Sequence, residues 1–218
     1  MKAQEIYSIL RAGGLSRAGA LGMLGNMAAE SGLKENIAQR GMTKLSDEQY
    51  TAAADNGLID FPNDSAGYGL CQWTYHTRKR GLLETAKSDG VSVGDGEMQC
   101  GYAMYELRKD YPDLMRFLCT TDDIDLASDR ICMEFERPAV NNLQARRAYA
   151  HGFEDETTDT PIVPKPKDPV QATFPPDPTV LAFQLWLNYN GYSCETNGYK
   201  SGNFFPVLEQ FVKDMKNC

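Results

Sequence analysis

Across the first 150 residues, apolar and polar positions alternate at helical spacing in separate runs broken by glycine and proline. A short helix over Gln4 to Ala12 opens the chain and stops at Gly13-Gly14. Ser16 reads as an N-cap for a longer helix, Arg17 to Ser31, whose apolar stripe is Leu21, Leu24 and Met27-Ala28 and whose stop is Gly32. Gly19, Gly22 and Gly25 lie inside that run, each costing about 1 kcal/mol against Ala. Such a stretch suits a central helix whose neighbours need close backbone approach. Helical period lapses over 33–66, where Gly41, Gly57, Pro62 and Asn63 suit loops with room for a short hairpin. Gly67 to Trp73 reads as a turn leading into a strand or a helix start. Helical runs resume at Thr77 to Lys87, Asp95 to Lys109, Pro112 to Leu118, Ile124 to Glu136 and Asn142 to His151, with Asp95 and Asp123 as N-caps and Pro138 ending the Ile124 run. The expected fold class is mainly α with a small β element.

Organisation follows from composition. Between Phe153 and Pro178 lie Glu154-Asp155-Glu156 and seven of the eleven prolines, a stretch that cannot bury a core and reads as a semi-stiff linker. The expected division is a domain over 1–152, a proline-rich acidic linker over 153–178, and a small helical module over 179–218. The last is marginal for independent folding at its size.

A net charge of −8 argues against nucleic acid and against anionic lipid surfaces, both of which call for surplus Lys and Arg. The N-terminus shows no apolar signal core or cleavage site, and no run approaches the ~18 apolar residues of a membrane span. The chain is expected to be made in a cytoplasm without exporting itself. Six cysteines (71, 100, 119, 132, 194 and 218) lack any zinc-type spacing, so most are expected reduced and buried, while Cys194 and Cys218 could pair. No cofactor or metal is indicated.

Glu30, one turn before a glycine stop, is the first candidate for chemistry. The helix dipole disfavours its ionised form by only ~0.3–1 kcal/mol. Burial is the larger lever, and walls of Met27, Leu70 and Trp73 would let the carboxyl keep its proton near neutral pH, as a glycosidase acid must. On composition alone, an ordinary carboxylate paired with an arginine is the commoner outcome.

Three blocks change that balance. Leu24-Gly25-Asn26-Met27-Ala28-Ala29-Glu30-Ser31-Gly32, then Gly67-Tyr68-Gly69-Leu70-Cys71-Gln72-Trp73, then Phe135-Glu136-Arg137-Pro138 with Arg146 to Ala150 resemble, in order, the phage tail-lysozyme family. Glu-Ser followed by Gly-Leu-x-Gln is also similar to goose-type lysozymes and soluble lytic transglycosylases. The resemblance implies a lysozyme-like helical domain acting on the glycan strands of bacterial peptidoglycan. Glu30 would donate a proton to the β-1,4 glycosidic oxygen between N-acetylmuramic acid and N-acetylglucosamine. Ser31 would bond substrate or steady Glu30, or merely cap its helix; Gln72 would bond an acetamido group. Tyr68 and Trp73 would stack on sugar rings or belong to the core.

A second carboxylate is needed ~6.5–9.5 Å from the acid for inversion and ~5–5.5 Å for retention. Asp64, one residue off the position of the water-positioning aspartate in goose-type lysozymes, is the candidate, with a turn residue in Pro62-Asn63-Asp64-Ser65 as its plainer reading. Lytic transglycosylases need no second carboxylate, yet the Asn-Ala-Gly segment typical of many of them is missing, which favours hydrolysis. The reading is therefore an endolysin-type N-acetylmuramidase, with a lytic transglycosylase on the same bond or a non-catalytic wall-binding or tail component as alternatives. It would reach the wall after release or as part of a virion. Arg78-Lys79-Arg80 reads as a solvated face. Residues 179–218, with Phe183-Gln184, Leu187-Asn188, Gly191-Tyr192 and Asn197-Gly198, are similar to the helical peptidoglycan-binding repeat, or form a docking or dimerisation hairpin.

Overall fold

The computed structural model describes residues 1–159 and Gln210. Over these residues the chain is mainly α: α1 (Ala3–Ala12), α2 (Arg17–Ser31), α3 (Asp47–Asp55), α4 (His76–Asp89), α5 (Gly96–Asp110), α6 (Pro112–Thr120), α7 (Ile124–Arg130) and α8 (Leu143–Gly152). A π-helical turn, Ile131–Glu136, follows α7 without a break. The β element is small, two antiparallel bridges that join Ala38 to Tyr68 and Tyr68 to Trp73.

Local chemistry sets the helix ends. Ser16 Oγ accepts from Gly19 N at 2.9 Å, and Asp95 and Asp123 cap α5 and α7 the same way at 2.8 and 2.9 Å. Gly32 closes α2 in the left-handed conformation, φ 61°. Helix α3 falls in the stretch expected to be loop. Its signal is a capping box: Ser46 Oγ accepts from Gln49 N while Gln49 Oε1 accepts from Ser46 N. The helix is short, and its apolar positions Tyr50, Ala53 and Ala54 give too few turns for a periodicity to show.

Helix α2 is the axis of the domain, packed by α1, α6, α7, α8 and the π turn. A Cβ on Gly22 would lie 2.9 Å from the Ala127 side chain of α7, and one on Gly25 would lie 2.7 Å from the Ala150 nitrogen of α8. No larger residue fits without moving a helix, so these glycines exchange helix propensity for close contact.

The run expected as one helix over Ile124 to Glu136 changes winding at Ile131. Arg137 N donates to Cys132 O at 2.8 Å, five residues back, and Arg137 itself takes φ 50°. This wider turn brings Phe135 and Glu136 to the inner side of the domain.

Residues 153–159, assigned above to the linker, stay docked on α1 and α2. Tyr7 Oη and Arg11 Nε donate to Asp159 Oδ1 at 2.7 and 2.8 Å, Arg17 donates to Glu154 O, and Thr157 is buried. Of the acidic residues there, Asp159 pairs with Arg11, and Glu154 meets Arg17 through its backbone carbonyl and His151 through its side chain. The rest of the linker and the module over 179–218, with the Cys194–Cys218 pairing, lie outside the described residues. Cys71, Cys100 and Cys132 are buried free thiols, and Cys119 is half-buried. Among the described residues no helix is long and apolar enough to cross a membrane.

Candidate active site

Glu30 ends the inner row of α2 formed by Gly22, Asn26 and Glu30, four residues apart, and faces α8. Arg146 of α8, only 5% exposed, spans the last two of these. It donates to Asn26 Oδ1 at 2.9 Å and to Glu30 Oε1 at 2.5 Å. Asn26 is itself fixed by its amide, which donates to Gly22 O and Ser128 O. Glu30 is thus an arginine-paired carboxylate at the mouth of a cleft, with 18% of its side chain exposed. Met27, Leu70 and Trp73, the apolar wall expected around it, are wholly buried in the core, and the partner the carboxylate meets is the Arg146 guanidinium.

The segment Gly67 to Trp73 forms a tight hairpin over the end of α2. Tyr68 and Trp73 exchange backbone hydrogen bonds at 3.2 and 3.0 Å. The Ser31 hydroxyl, buried, lies 2.9 Å from Met27 O and 3.1 Å from Leu70 O, so it pins the hairpin to the helix beside Glu30. Gln72 takes φ 44°, a conformation that strains a residue other than glycine. Its Nε2 holds that turn by donating to Gly69 O and Ile37 O, and the residue lines the cleft with Glu30. Tyr68 and Trp73 do not reach the cleft. Both are 0% exposed, Tyr68 beside Thr51 and Phe61, and Trp73 donating from Nε1 to Glu106 Oε2 at 2.8 Å. Alternation along the hairpin turns these rings inward, and neither offers a face to a sugar.

Asp64 is held elsewhere. It pairs with the wholly buried Lys79 of α4, accepts from Tyr50 Oη at 2.5 Å and takes the Ala66 N–H on Oδ1. It is not among the residues lining the cleft that holds Glu30. Lys79 also sits 4.2 Å over the Phe61 ring, and burial pulls its amine below the usual lysine range against the opposing pull of Asp64. The basic run is therefore not a solvated face. Arg80 alone is exposed, while Lys79 and Arg78 each meet a carboxylate inside.

The cleft has a volume of about 2170 Å³, well above the ~300–1,000 Å³ of a small-molecule pocket and suited to a polymer. Glu30, Gln72 and Glu136 line it together, with walls from α4 and α5. Its floor is a polar cluster. Arg78 donates to both oxygens of Glu106, at 2.7 and 2.8 Å, and lies 4.5 Å over the Phe135 ring. Glu136, part of the third sequence block but with no role expected from it, stands beside this pair. The residue as a whole is half-buried, but its Oε1 is enclosed and has no hydrogen-bond partner. Burial, then the charge of Glu30, pushes its carboxyl up to about 8 against the pull of Arg78 and Arg146. The cleft also carries two exposed aromatics, Tyr75 (70%) and Tyr105 (50%). Tyr75 lies two residues past the second sequence block, but only its exposure separates it from the buried rings nearby. Among the described residues no group of three or more His, Cys, Asp or Glu converges as metal ligands do.

No curated protein matches the chain. A family model does, over residues 1–156, which contain the helical domain, the hairpin, the π turn and the whole of the cleft around Glu30. That match spans more than two thirds of the sequence, and on it the chain belongs to the phage tail lysozyme family.

Proposed function

We propose that the chain is a peptidoglycan muramidase that cleaves the β-1,4 bond between N-acetylmuramic acid and N-acetylglucosamine, with Glu30 as the acid. The observation that carries this reading is the position of Glu30: fixed at the end of the central helix by Arg146, beside Gln72, and opening on a polymer-sized cleft. A proton passes from Glu30 to the glycosidic oxygen as the bond from that oxygen to the sugar C1 breaks, and the electron pair leaves with the oxygen. In hydrolysis, water adds to C1 and its proton returns to a carboxylate. Tyr75 and Tyr105, the exposed rings of the cleft, take the sugar-contacting role expected of Tyr68 and Trp73, each with the surface left free by the neighbour it stacks on, His76 and Tyr102. The net charge of −8 suits a neutral sugar polymer gripped by hydrogen bonds and rings.

One observation favours the second reading, a lytic transglycosylase on the same bond. Asp64 is committed to Lys79 and Tyr50 and does not line the cleft, which removes the expected base for water. The C6 hydroxyl of the muramic sugar can then attack C1 itself, helped by its high effective concentration. Its proton returns to the carboxylate and no water is consumed.

Mass spectrometry of a wall digest, with and without borohydride reduction, separates the outcomes. Reducible muramic ends mark hydrolysis; 1,6-anhydro ends, lighter by one water, mark the transglycosylase. In either case Glu30→Gln is expected to lower cleavage ~10²–10⁴-fold with unchanged circular dichroism. Asp64→Asn is expected to slow cleavage less than about tenfold, well short of the loss of an acid or base. Near wild-type clearing by Glu30→Gln removes Glu30 from the chemistry. Wall binding without any sugar release by the wild-type protein points to the non-catalytic alternative.

A further inference from the structure

Among the described residues, the enclosed side-chain nitrogen and oxygen atoms without a hydrogen-bond partner are two, Glu136 Oε1 and Arg146 Nε, and both belong to the cluster around Glu30. Buried polar groups are nearly always satisfied, so two orphans in one cluster call for a reason. Charge supplies it. Three carboxyls, Glu30, Glu106 and Glu136, meet two guanidiniums there, Arg78 and Arg146. Glu106 takes Nε and Nη2 of Arg78 in a fork and also accepts from Trp73, while Arg78 Nη1 donates to Phe135 O, so that pair is neutral and its facing donors are used. With Arg78 committed to Glu106, though its field still acts on Glu136, Arg146 is the guanidinium left for Glu30 and Glu136. The other groups acting on Glu136 are neutral thiols: Cys71 of the hairpin, whose own ionisation burial pushes well up, and Cys132 of the π turn. A second ionised carboxylate in so enclosed a place would go uncompensated.

We propose that Glu136 is a positioning residue that shares one proton with Glu30: the two carboxyls bind a single proton between them through the neutral range, and Arg146 compensates the one charge that remains. Glu136, whose Oε1 has no partner, holds the proton, while Glu30 accepts the hydrogen bond of Arg146. When a glycan seals the cleft and loosens the Glu30 contact with Arg146, the proton passes to Glu30. Its former site on Glu136 becomes the carboxylate that Arg146 compensates. The pair keeps a proton available to Glu30 at a pH where a lone solvated glutamate is ionised. The catalytic part of this inference rests on the muramidase reading; the shared proton itself does not.

Two measurements on the full chain test it. In infrared titration of the protein without substrate, a protonated carboxyl band is expected at pH 7, ionising at about 8, absent from Glu136→Gln and ionising at clearly lower pH in Glu30→Gln, where the Glu30 charge is gone and Arg146 is free to compensate Glu136. Glu136→Asp should keep the band at a shifted frequency. No protonated carboxyl band at pH 7 in the wild-type protein overturns the proposal. On soluble glycan fragments, Glu136→Gln is expected to move the basic limb of kcat/KM down by about one pH unit or more, with the rate near pH 5 and KM little changed and the limb partly restored by Glu136→Asp. A profile superimposable on the wild type also overturns it. Should the wild-type protein cleave no glycan, the muramidase reading falls alone, and the infrared titration still decides whether the proton is shared.

Discussion

Glu30 and Glu136 differ in what their neighbours offer. Arg146 gives Glu30 a charged hydrogen bond, whereas the donors of Arg78 next to Glu136 go to Glu106 and to the Phe135 carbonyl. An enclosed carboxyl with one oxygen unpartnered and only the weak Cys71 thiol as a donor is pushed to keep its proton by burial, and this sets the sign of its effect on stability. The folded protein holds the Glu136 proton up to about 8, while the unfolded chain releases it near the ordinary glutamate value of 4.5. Between those values the folded state binds more protons, so stability falls as pH rises through the window and is fully present below it. Replacing Glu136 by Gln removes the penalty. Glu136→Gln is expected to melt above the wild-type protein at pH 8, by roughly 2–4 °C for each kcal/mol relieved, with the difference closing towards pH 4. Melting curves at the two pH values check this; a variant less stable than wild type at both would mean that the carboxyl makes contacts its amide cannot.

At the scale of elements, the site is made by three departures from plain helix packing. Close approach of α2 to α8 at Gly25 puts Arg146 against Glu30. The widened turn after α7 carries Glu136 to the cleft, and the strained hairpin at Gln72 closes its edge. The segment 153–159 supports the first of these, because it ties the chain leaving α8 to Tyr7, Arg11 and Arg17. A protein ending at residue 159 is therefore expected to melt close to the full chain. One ending at 152 loses the Tyr7, Arg11 and Gln4 bonds and the buried Thr157. At about 1 kcal/mol for each net hydrogen bond it should melt several degrees lower. Equal melting temperatures for the two truncations would show that the docked segment adds nothing.

For the whole molecule, the helical domain contains the complete cleft, and the family match ends at residue 156 within the docked segment. Cleavage of soluble glycan fragments should therefore need nothing beyond residue 159. Removing 160–218 is expected to leave that rate within about twofold while reducing pull-down by insoluble walls, as loss of a second binding contact does. Unchanged pull-down would assign the C-terminal residues to something other than wall binding.

What the sequence determined by itself is what local chemistry encodes. Ser16, Asp95 and Asp123 cap helices, Gly32 ends one, and the stripe of Leu21, Leu24 and Met27 makes α2 a core helix, since each depends on residues a few positions apart. The Ser46–Gln49 capping box was equally legible, though α3 is too short for periodicity to show it. The order of the three motif blocks pointed to Glu30, Gln72 and the family. Tertiary structure decided everything that rests on which groups meet across the chain. Tyr68 and Trp73 are inside because Tyr68 packs on Tyr50 and Phe61 and Trp73 on α5, while Tyr75 and Tyr105 are left exposed, and a run of aromatics does not say which of them meets a distant partner. Asp64 went to Lys79, and Glu136 was left without an arginine of its own, because two arginines and a lysine lying 15 to 116 residues from their partners were apportioned among four carboxylates. A carboxyl's chemistry is set by the charges and solvent around it, and those are fixed only when distant segments pack together.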